Sequence, residues 1–597
     1  MKLIEQATRY MFFTGKGGVG KTSVSCAVAI ALADLGKRVL LVSTDPASNL
    51  DEVLKVRLAM VPTAVPGVQG FFALNIDPEL AARAYRERLV GPYRDLLPAA
   101  TVRSMEEQLS GSCTTEIAAF DEFAKLIGDA DQTSEFDHVI FDTAPTGHTM
   151  RLLSLPESWS TFIADNTTGM SCLGPLSGLQ AQQEIYLSAV QTLKDAGRTI
   201  LVLVARPEKT ALREAARTSA ELSEVGVTNQ FLVVNGVFKA HTLDDEVATA
   251  FESIANSALN NIPVELAKLP VQTVVLSPVA LLGVDALRAV FGAAGSLLPQ
   301  SEPLQKCENL PDQLVGLIDE LEKPGAGVIM TMGKGGVGKT SVAAAIAVEL
   351  ARRGHKVHLS TTDPAAHLSW VLDSPVPLLT VSRIDPAHET RAYQKEVMEC
   401  AGAGLDEKGL AVLEEDLRSP CTEEVAVFRS FASTVAQGKS GFVVLDTAPT
   451  GHTILLLDAA QAYHREVLRQ SSKMPETVLN LLPRLRDPNF THILIVTLAE
   501  ATPVHEAERL QNDLRRAGIE PFAWIINQSF SLVSTTDPVL VSRKINEGQY
   551  INEVTQKLSN RVVVVPWLKE PPTGAAGLSS MLAPRSRQLH ELAPETK

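Results

Sequence analysis

Residues 15–22 read Gly15-Lys16-Gly17-Gly18-Val19-Gly20-Lys21-Thr22, and Gly333-Lys334-Gly335-Gly336-Val337-Gly338-Lys339-Thr340 repeats that octapeptide without a change. Glycines at this spacing let backbone N–H groups converge on phosphate oxygens. The lysine before the threonine reaches the terminal phosphates, and the threonine hydroxyl is placed to ligate Mg²⁺. Two copies in one chain of 597 residues imply two nucleotide sites on a tandem repeat. Length alone would have suggested roughly three or four domains; the repeat reduces that to two large ones.

The residues around each loop predict how the halves fold. Tyr10 to Thr14 is an apolar run, a helical pattern follows the loop to about Leu35, and Arg38 to Thr44 is a second apolar run. That sequence is a βαβ unit. Further strands are predicted at His138–Phe141, Ile200–Val204, Phe231–Val234 and Val274–Leu276. The second half repeats them at Val328–Met332, Val357–Ser360, Phe442–Leu445, Ile493–Val496, Trp524–Ile526 and Val562–Val565. Unbroken apolar strands suit a parallel sheet buried on both faces, so both halves read as doubly wound α/β P-loop domains with mostly parallel sheets. Lys21 and Lys339 are 318 residues apart, Cys113 and Cys421 308, Asp142 and Asp446 304, and Asn235 and Asn527 292. The second copy is therefore shortened by small deletions. Prolines and glycines between Pro299 and Gly327 surround one short amphipathic segment, Asp312 to Glu322, and place a linker at 299–326 between domains 1–298 and 327–597. A fused dimer with pseudo-twofold symmetry is the expected architecture.

Composition narrows the partners. With 54 basic and 69 acidic residues the net charge is −15, which argues against nucleic acid or an anionic lipid surface as the main partner. No stretch approaches the roughly 18 apolar residues a bilayer requires. The first loop begins at Gly15, leaving no room for a removable signal peptide, so a soluble cytoplasmic protein is expected. The six cysteines, Cys26, Cys113, Cys172, Cys307, Cys400 and Cys421, form no CxxC pair, and a disulfide framework is not expected.

A lysine directly after the first glycine, Lys16 and Lys334, makes both loops resemble the deviant Walker A subfamily, whose members dimerise around nucleotide. That resemblance implies that Lys16 serves the site of the second half and Lys334 that of the first, as an arginine finger would. Asp45 and Asp363 follow the second strand of each half in Ser43-Thr44-Asp45-Pro46 and Thr361-Thr362-Asp363-Pro364. At the carboxyl edge of a parallel sheet they are candidates for orienting the attacking water. Asp142 and Asp446 close apolar strands in the manner of a Walker B motif. With Thr22, Thr340, Asp45 and Asp363 they are the expected Mg²⁺ surroundings. Asn235 and Asn527 each end a strand. Their amides can read an adenine edge, or they are simply turn residues.

Asp142-Thr143-Ala144-Pro145-Thr146-Gly147-His148-Thr149 recurs intact as Asp446-Thr447-Ala448-Pro449-Thr450-Gly451-His452-Thr453. With the deviant loops and the fusion, this resembles the arsenite-pump ATPase family across nearly the whole chain. The resemblance implies ATP hydrolysis coupled to arsenite or antimonite and docking on a membrane efflux carrier. It also implies a cytoplasmic protein held peripherally at the inner membrane, with an arsenic metallochaperone as a further partner. A single-length cousin, the ATPase that targets tail-anchored membrane proteins, shares most of the motifs and is the alternative reading. The dispersed 11 methionines and the absence of a convincing amphipathic groove between Met150 and Val190 argue against it. A positioning or partitioning ATPase would need a basic amphipathic tail or DNA-binding surface, which the mixed-charge terminus lacks.

Cys113-Thr114-Thr115-Glu116 aligns with Cys421-Thr422-Glu423-Glu424, one thiol per half, able to meet across a twofold; Cys172 has no counterpart. Three thiolates match what soft As(III) or Sb(III) accepts. The family pattern also implies additional or weaker metalloid contacts from His148, His452 and Ser419; both histidines are read first as residues that couple the nucleotide loop to the metalloid and second as ligands, the alternative being histidines that simply cap or pack a turn. Cys26, Cys307 and Cys400 are expected to be small buried hydrophobes.

Overall fold

In Tyr10-Met11-Phe12-Phe13 every side chain is buried, and alternation sends Tyr10 and Phe12 to one face of the sheet and Met11 and Phe13 to the other. A strand buried on both sides must lie at the centre of its sheet. A computed structural model of the chain describes residues 2–45, 48–109, 112–143, 170–171, 174–175, 183–291, 311–362, 372, 374–417, 420–447 and 476–582.

The first half contains β1 (Tyr10–Thr14), β2 (Val39–Ser43), β3 (Thr63–Ala64), β4 (Phe71–Asn75) and β5 (His138–Asp142). A two-stranded ribbon of β6 (Met170–Ser171) and β7 (Gly174–Pro175) is followed by β8 (Thr199–Ala205), β9 (Gln230–Val237) and β10 (Val271–Val275). Its main sheet runs β10-β9-β8-β1-β5-β2-β4-β3, parallel except for the β3–β4 edge. The second half holds β11 (Gly327–Met332), β12 (Val357–Thr361), β13 (Leu379–Arg383), β14 (Phe442–Asp446), β15 (Thr491–Thr497), β16 (Ala523–Ser529) and β17 (Val562–Pro566). Their order, β17-β16-β15-β11-β14-β12-β13, reproduces the first sheet without its antiparallel edge. Both halves are doubly wound α/β layers, as the repeat predicts.

β1 lies between β5 and β8, and β11 between β14 and β15, so each phosphate loop leaves its sheet where the strand order reverses and a crevice opens. The loops lead into helices Lys21–Asp34 and Lys339–Arg352, both rich in alanine and buried along most of their length. Val24, Val28 and Ile30 pack on Met11, Phe13, Val39 and Leu41. On the opposite face Phe12 stacks on Phe141, with ring centroids 4.7 Å apart, and Phe123 meets both rings edge-on. Within the span read as linker, helix Leu314–Leu321 buries Leu314, Leu317, Ile318 and Leu321 in the second half's core.

Apolar clusters join the halves, the larger contribution from both sides being in one of them. Phe238, Ala240, Val247, Ala248 and Leu276 of the first pack with Phe530, Val539 and Leu540 of the second. Trp567 adds ring contacts to Phe251 at 5.4 Å and to Phe530 at 5.7 Å. Among the described residues no helix is long and apolar enough to cross a membrane.

Cys26 is buried, as expected, but Cys400 is exposed, correcting its assignment as a core thiol. Its helix, Pro386–Ala401, presents a largely polar surface and carries Cys400 at its solvent-facing end. Cys307 lies outside the described residues.

Candidate nucleotide-binding sites

The two phosphate loops meet back to back. A Cβ on Gly17 would lie 2.3 Å from Gly335 Cα, and one on Gly336 only 2.1 Å from the Gly17 carbonyl oxygen. Backbone approaches this close exclude any side chain and explain why glycine is required at positions where the phosphate itself is not the constraint. Gly20 and Gly338, with φ of 87° and 92°, turn the loop into its helix in the left-handed region that glycine favours.

Within each loop the lysine curls back. Lys21 Nζ donates to the carbonyls of Gly15 at 3.1 Å and Lys16 at 3.4 Å, and Lys339 Nζ to those of Gly333 and Lys334, both at 3.0 Å. Burial lowers the Lys21 pKa, while the carboxylates of Asp142 and Asp45 oppose that shift. Thr22 donates to Asp142 Oδ2 at 2.7 Å, and Thr340 to Asp446 Oδ2 at 2.8 Å, joining each loop to the end of the adjacent strand. Asp142 Oδ1 is buried with no hydrogen-bond partner, an unmet acceptor beside the threonine hydroxyl. Burial pushes the Asp142 carboxyl up to about 6, against the pull of Thr22, Lys21 and the other half's Lys334.

This raised carboxyl makes a prediction about the metal-free protein. A folded-state pKa above the unfolded value means the fold binds the proton more tightly, so stability from this group is full below about pH 4 and lost as pH rises through 6. The difference is of order 3 kcal/mol at neutral pH. Asp142→Asn should therefore raise the thermal midpoint in chelator at pH 7.5, and the gain should vanish below about pH 4, where Asp142 is neutral in both states. An equal midpoint difference at both pH values would contradict it.

Asn235 donates to the Val19 carbonyl at 2.8 Å and Asn527 to that of Val337 at 2.9 Å. A Cβ on Gly20 or Gly338 would strike these amide nitrogens, so both asparagines brace the loop where it becomes helix. Asp45 stands close enough to Lys21, Asp142 and Glu506 to shift all of them.

The lysine expected from the other half is there, and its acidic partners are residues that sequence reasoning missed. The Lys334 ammonium acts on both Lys21 and Asp142, so a second-half lysine stands at the first half's loop. It pairs with Glu506. Lys16 pairs with Glu214 at 3.3 Å. Glu500 bonds Arg543, which also donates to the Ser277 carbonyl of the first half at 3.2 Å. Burial pushes Glu500 up, but Arg543, Arg206 and Lys334 together leave its pKa lowered. For the two glutamates that hold the loop lysines the one sequence signal is recurrence: Glu214 and Glu506 share the 292-residue offset of the two asparagines.

Cys113 and Cys421 occupy the second residue of matching 17-residue helices, Ser112–Gly128 and Pro420–Ala436. Asp363, Cys172, His148, His452 and Ser419 lie outside the described residues.

The family model for anion-transporting ATPases matches residues 8–293, 326–482 and 457–583. The arsenical pump-driving ATPase of Acidiphilium multivorum is 51% identical over 98% of this chain and 100% of its own length. A protein of the same name from Escherichia coli is 51% identical over 97% of this chain and all of its own. The ATPase GET3A of Arabidopsis thaliana is 29% identical over 48% of this chain and 84% of its own, a more distant likeness.

Proposed function

The chain belongs to the anion-transporting ATPase family and is an ATP hydrolase, and we propose that it couples hydrolysis at two composite sites to arsenite or antimonite destined for a membrane efflux carrier. The observation that supports composite sites is the back-to-back contact of the loops at Gly17 and Gly335, with Lys334 close enough to Lys21 to shift it, and the metalloid part of the reading is supported by the similarity to arsenical pump-driving ATPases.

In this reading the backbone amides of each loop and Lys21 or Lys339 hold the phosphates, after the lysine leaves the carbonyls it now caps. Lys334 and Lys16 neutralise charge developing on the phosphoryl group of the opposite half. Asp45 and Asp363 orient the attacking water, and the free edges of Asn235 and Asn527 read adenine. The buried, unmet Asp142 oxygen beside Thr22 fits a Mg²⁺ shell, directly or through water, and Thr340 with Asp446 supplies the counterpart. Mg²⁺ would neutralise phosphate charge there.

Cys113, Cys421 and Cys172 are the proposed metalloid thiolates, with His148, His452 and Ser419 as secondary contacts. A metalloid shared between Cys113 and Cys421 draws the halves together and thereby favours the closed loops. Coupling of this kind is reciprocal, so nonhydrolysable ATP must tighten metalloid binding. An arsenic metallochaperone as donor, and residence at the cytoplasmic face of the membrane, complete the proposal.

The test is steady-state ATPase activity with and without arsenite or antimonite. Stimulation of about 5-fold or more is expected, falling to the basal rate in Cys113→Ser and Cys421→Ser, with a partial loss in Cys172→Ser. Basal activity with no metalloid response would overturn the coupling and favour the targeting-ATPase alternative.

A further inference from the structure

Each deviant-loop lysine is held by a buried glutamate at one repeated place in the fold. Glu214 is the sixth residue of helix Lys209–Glu224 and Glu506 the sixth of helix Ala501–Arg516. Their exposures are 8% and 6%, and a carboxylate buried to that degree is costly unless it is paired with a cation. The cation in each case is the signature lysine of the same half, Lys16 or Lys334.

The Glu506 helix is in turn pinned to the other half, immediately beyond Asp45. Asn49 donates to Thr502 at 3.1 Å, His505 meets Glu52 at 2.7 Å, and Arg509 donates to the Ser48 carbonyl at 3.1 Å. The carboxylate that grips Lys334 thus belongs to one half by sequence and to the other half's site by position. A lysine in a glycine loop must lose the rotamer freedom of its long side chain before it contacts a phosphate. An ammonium has three donors, so it can keep the carboxylate and still reach a phosphoryl oxygen.

We propose that Glu506 and Glu214 are positioning residues for hydrolysis, each holding its lysine ammonium extended toward the phosphate loop of the opposite half and remaining bound to it while nucleotide is hydrolysed. The glutamates do not touch substrate; they act through the lysines. The proposal rests on the reading of Lys334 and Lys16 as contacts across the halves. Burial, which raises the Glu506 pKa against the attraction of Lys334, agrees with a carboxylate that depends on this lysine for its charge.

The experiment is a double-mutant cycle on the full-length protein, with kcat and KM for ATP measured for Glu506→Gln, Lys334→Ala and both together, and for Glu214→Gln with Lys16→Ala. Each glutamine variant should lose about 10- to 100-fold in kcat with KM changed less than about 3-fold, because positioning is felt in the transition state. In the alanine background the glutamine should cost nothing further, since the group it positions is gone. Thermal midpoints separate a folding defect from this pattern. Losses that multiply, or a glutamine variant faster than the parent, would overturn the proposal; the second would mark the pair as a restraint released by ATP. Full activity in Lys334→Ala and Lys16→Ala would instead refute the cross-half reading beneath it.

Discussion

Alanine at Gly17 should abolish hydrolysis at both sites while leaving each half folded. Gly17 is not among the residues with a positive φ, so its own backbone accepts a side chain without strain. The obstacle is the other half: the new methyl group would sit 2.3 Å from Gly335 Cα and 2.6 Å from its carbonyl carbon. Backbone of a loop tethered to a buried strand cannot step aside as a flexible side chain does, so the halves must part by about 1 Å or more to restore ordinary van der Waals distance. On the proposed cross-half reading, that displacement withdraws Lys334 from the first loop and Lys16 from the second together. A charge supplied across an interface to a transferring phosphoryl group is worth about 10³–10⁵ in rate, and kcat should fall by roughly 10³. Nucleotide binding measured by calorimetry should weaken less than about 10-fold, because the amides and Lys21 remain. Gly316→Ala, where a methyl group meets nothing within 4 Å, is the control and should be silent. More than half of the parental kcat in Gly17→Ala would mean that the loops need not touch to work.

The parts of this architecture legible in the sequence are those whose causes are local. A phosphate loop is a contiguous octapeptide, and β1, β5, β8, β11 and β14 are contiguous apolar runs because strands covered on both faces have no polar positions to interrupt them. Edge strands lack that signature. β13, Leu379-Thr380-Val381-Ser382-Arg383, alternates with polar residues and is exposed in part, and neither it nor the two-residue edge strand β3 is expected from the sequence; β4, Phe71–Asn75, is a mostly buried inner strand that the sequence reading also misses. β10 was expected at Val274–Leu276 and occupies Val271–Val275, with Gln272 and Thr273 inside it. Beyond the strands, what escaped is set by residues far apart in sequence. Glu506 reads as an ordinary helical glutamate until Ser48, Asn49 and Glu52, from the other half, are seen against its helix. The burial of Cys26 followed from its apolar helix, whereas Cys400 required knowing which side of its helix faces the core.

Asp245→Ala should be among the most destabilising single changes at the contact between the halves. Asp245 is the N-cap of helix Glu246–Asn260, where its Oδ1 accepts from Val247 N at 2.9 Å and Ala248 N at 3.0 Å. Its Oδ2 serves the other half, accepting from Thr535 Oγ1 at 2.7 Å, Thr536 N at 2.5 Å and Asp537 N at 3.0 Å. Asp537, 292 residues on, returns the arrangement: it caps helix Pro538–Glu553 and accepts from His241 N of the first half at 2.8 Å. Burial pushes the Asp245 carboxyl up, but the Thr535 hydroxyl and the amides outweigh it and hold the pKa well below the usual carboxylate range. Alanine removes every one of those acceptor contacts at once, and because Thr535 is half-buried and Thr536 exposed, water replaces part of the loss, leaving a cost of about 2–3 kcal/mol. Calorimetry should show a lower midpoint, and the unfolding of the two halves should separate as the bond between them weakens. Asp245→Asn keeps one acceptor oxygen and should cost less. Because the folded-state pKa is depressed, the parent holds this stability above the unfolded-state value near 4 and loses it as pH falls further, so parent and alanine variant should converge in acid. A difference between them that stays constant from pH 7 to pH 2 would mean the carboxylate charge contributes nothing to joining the halves.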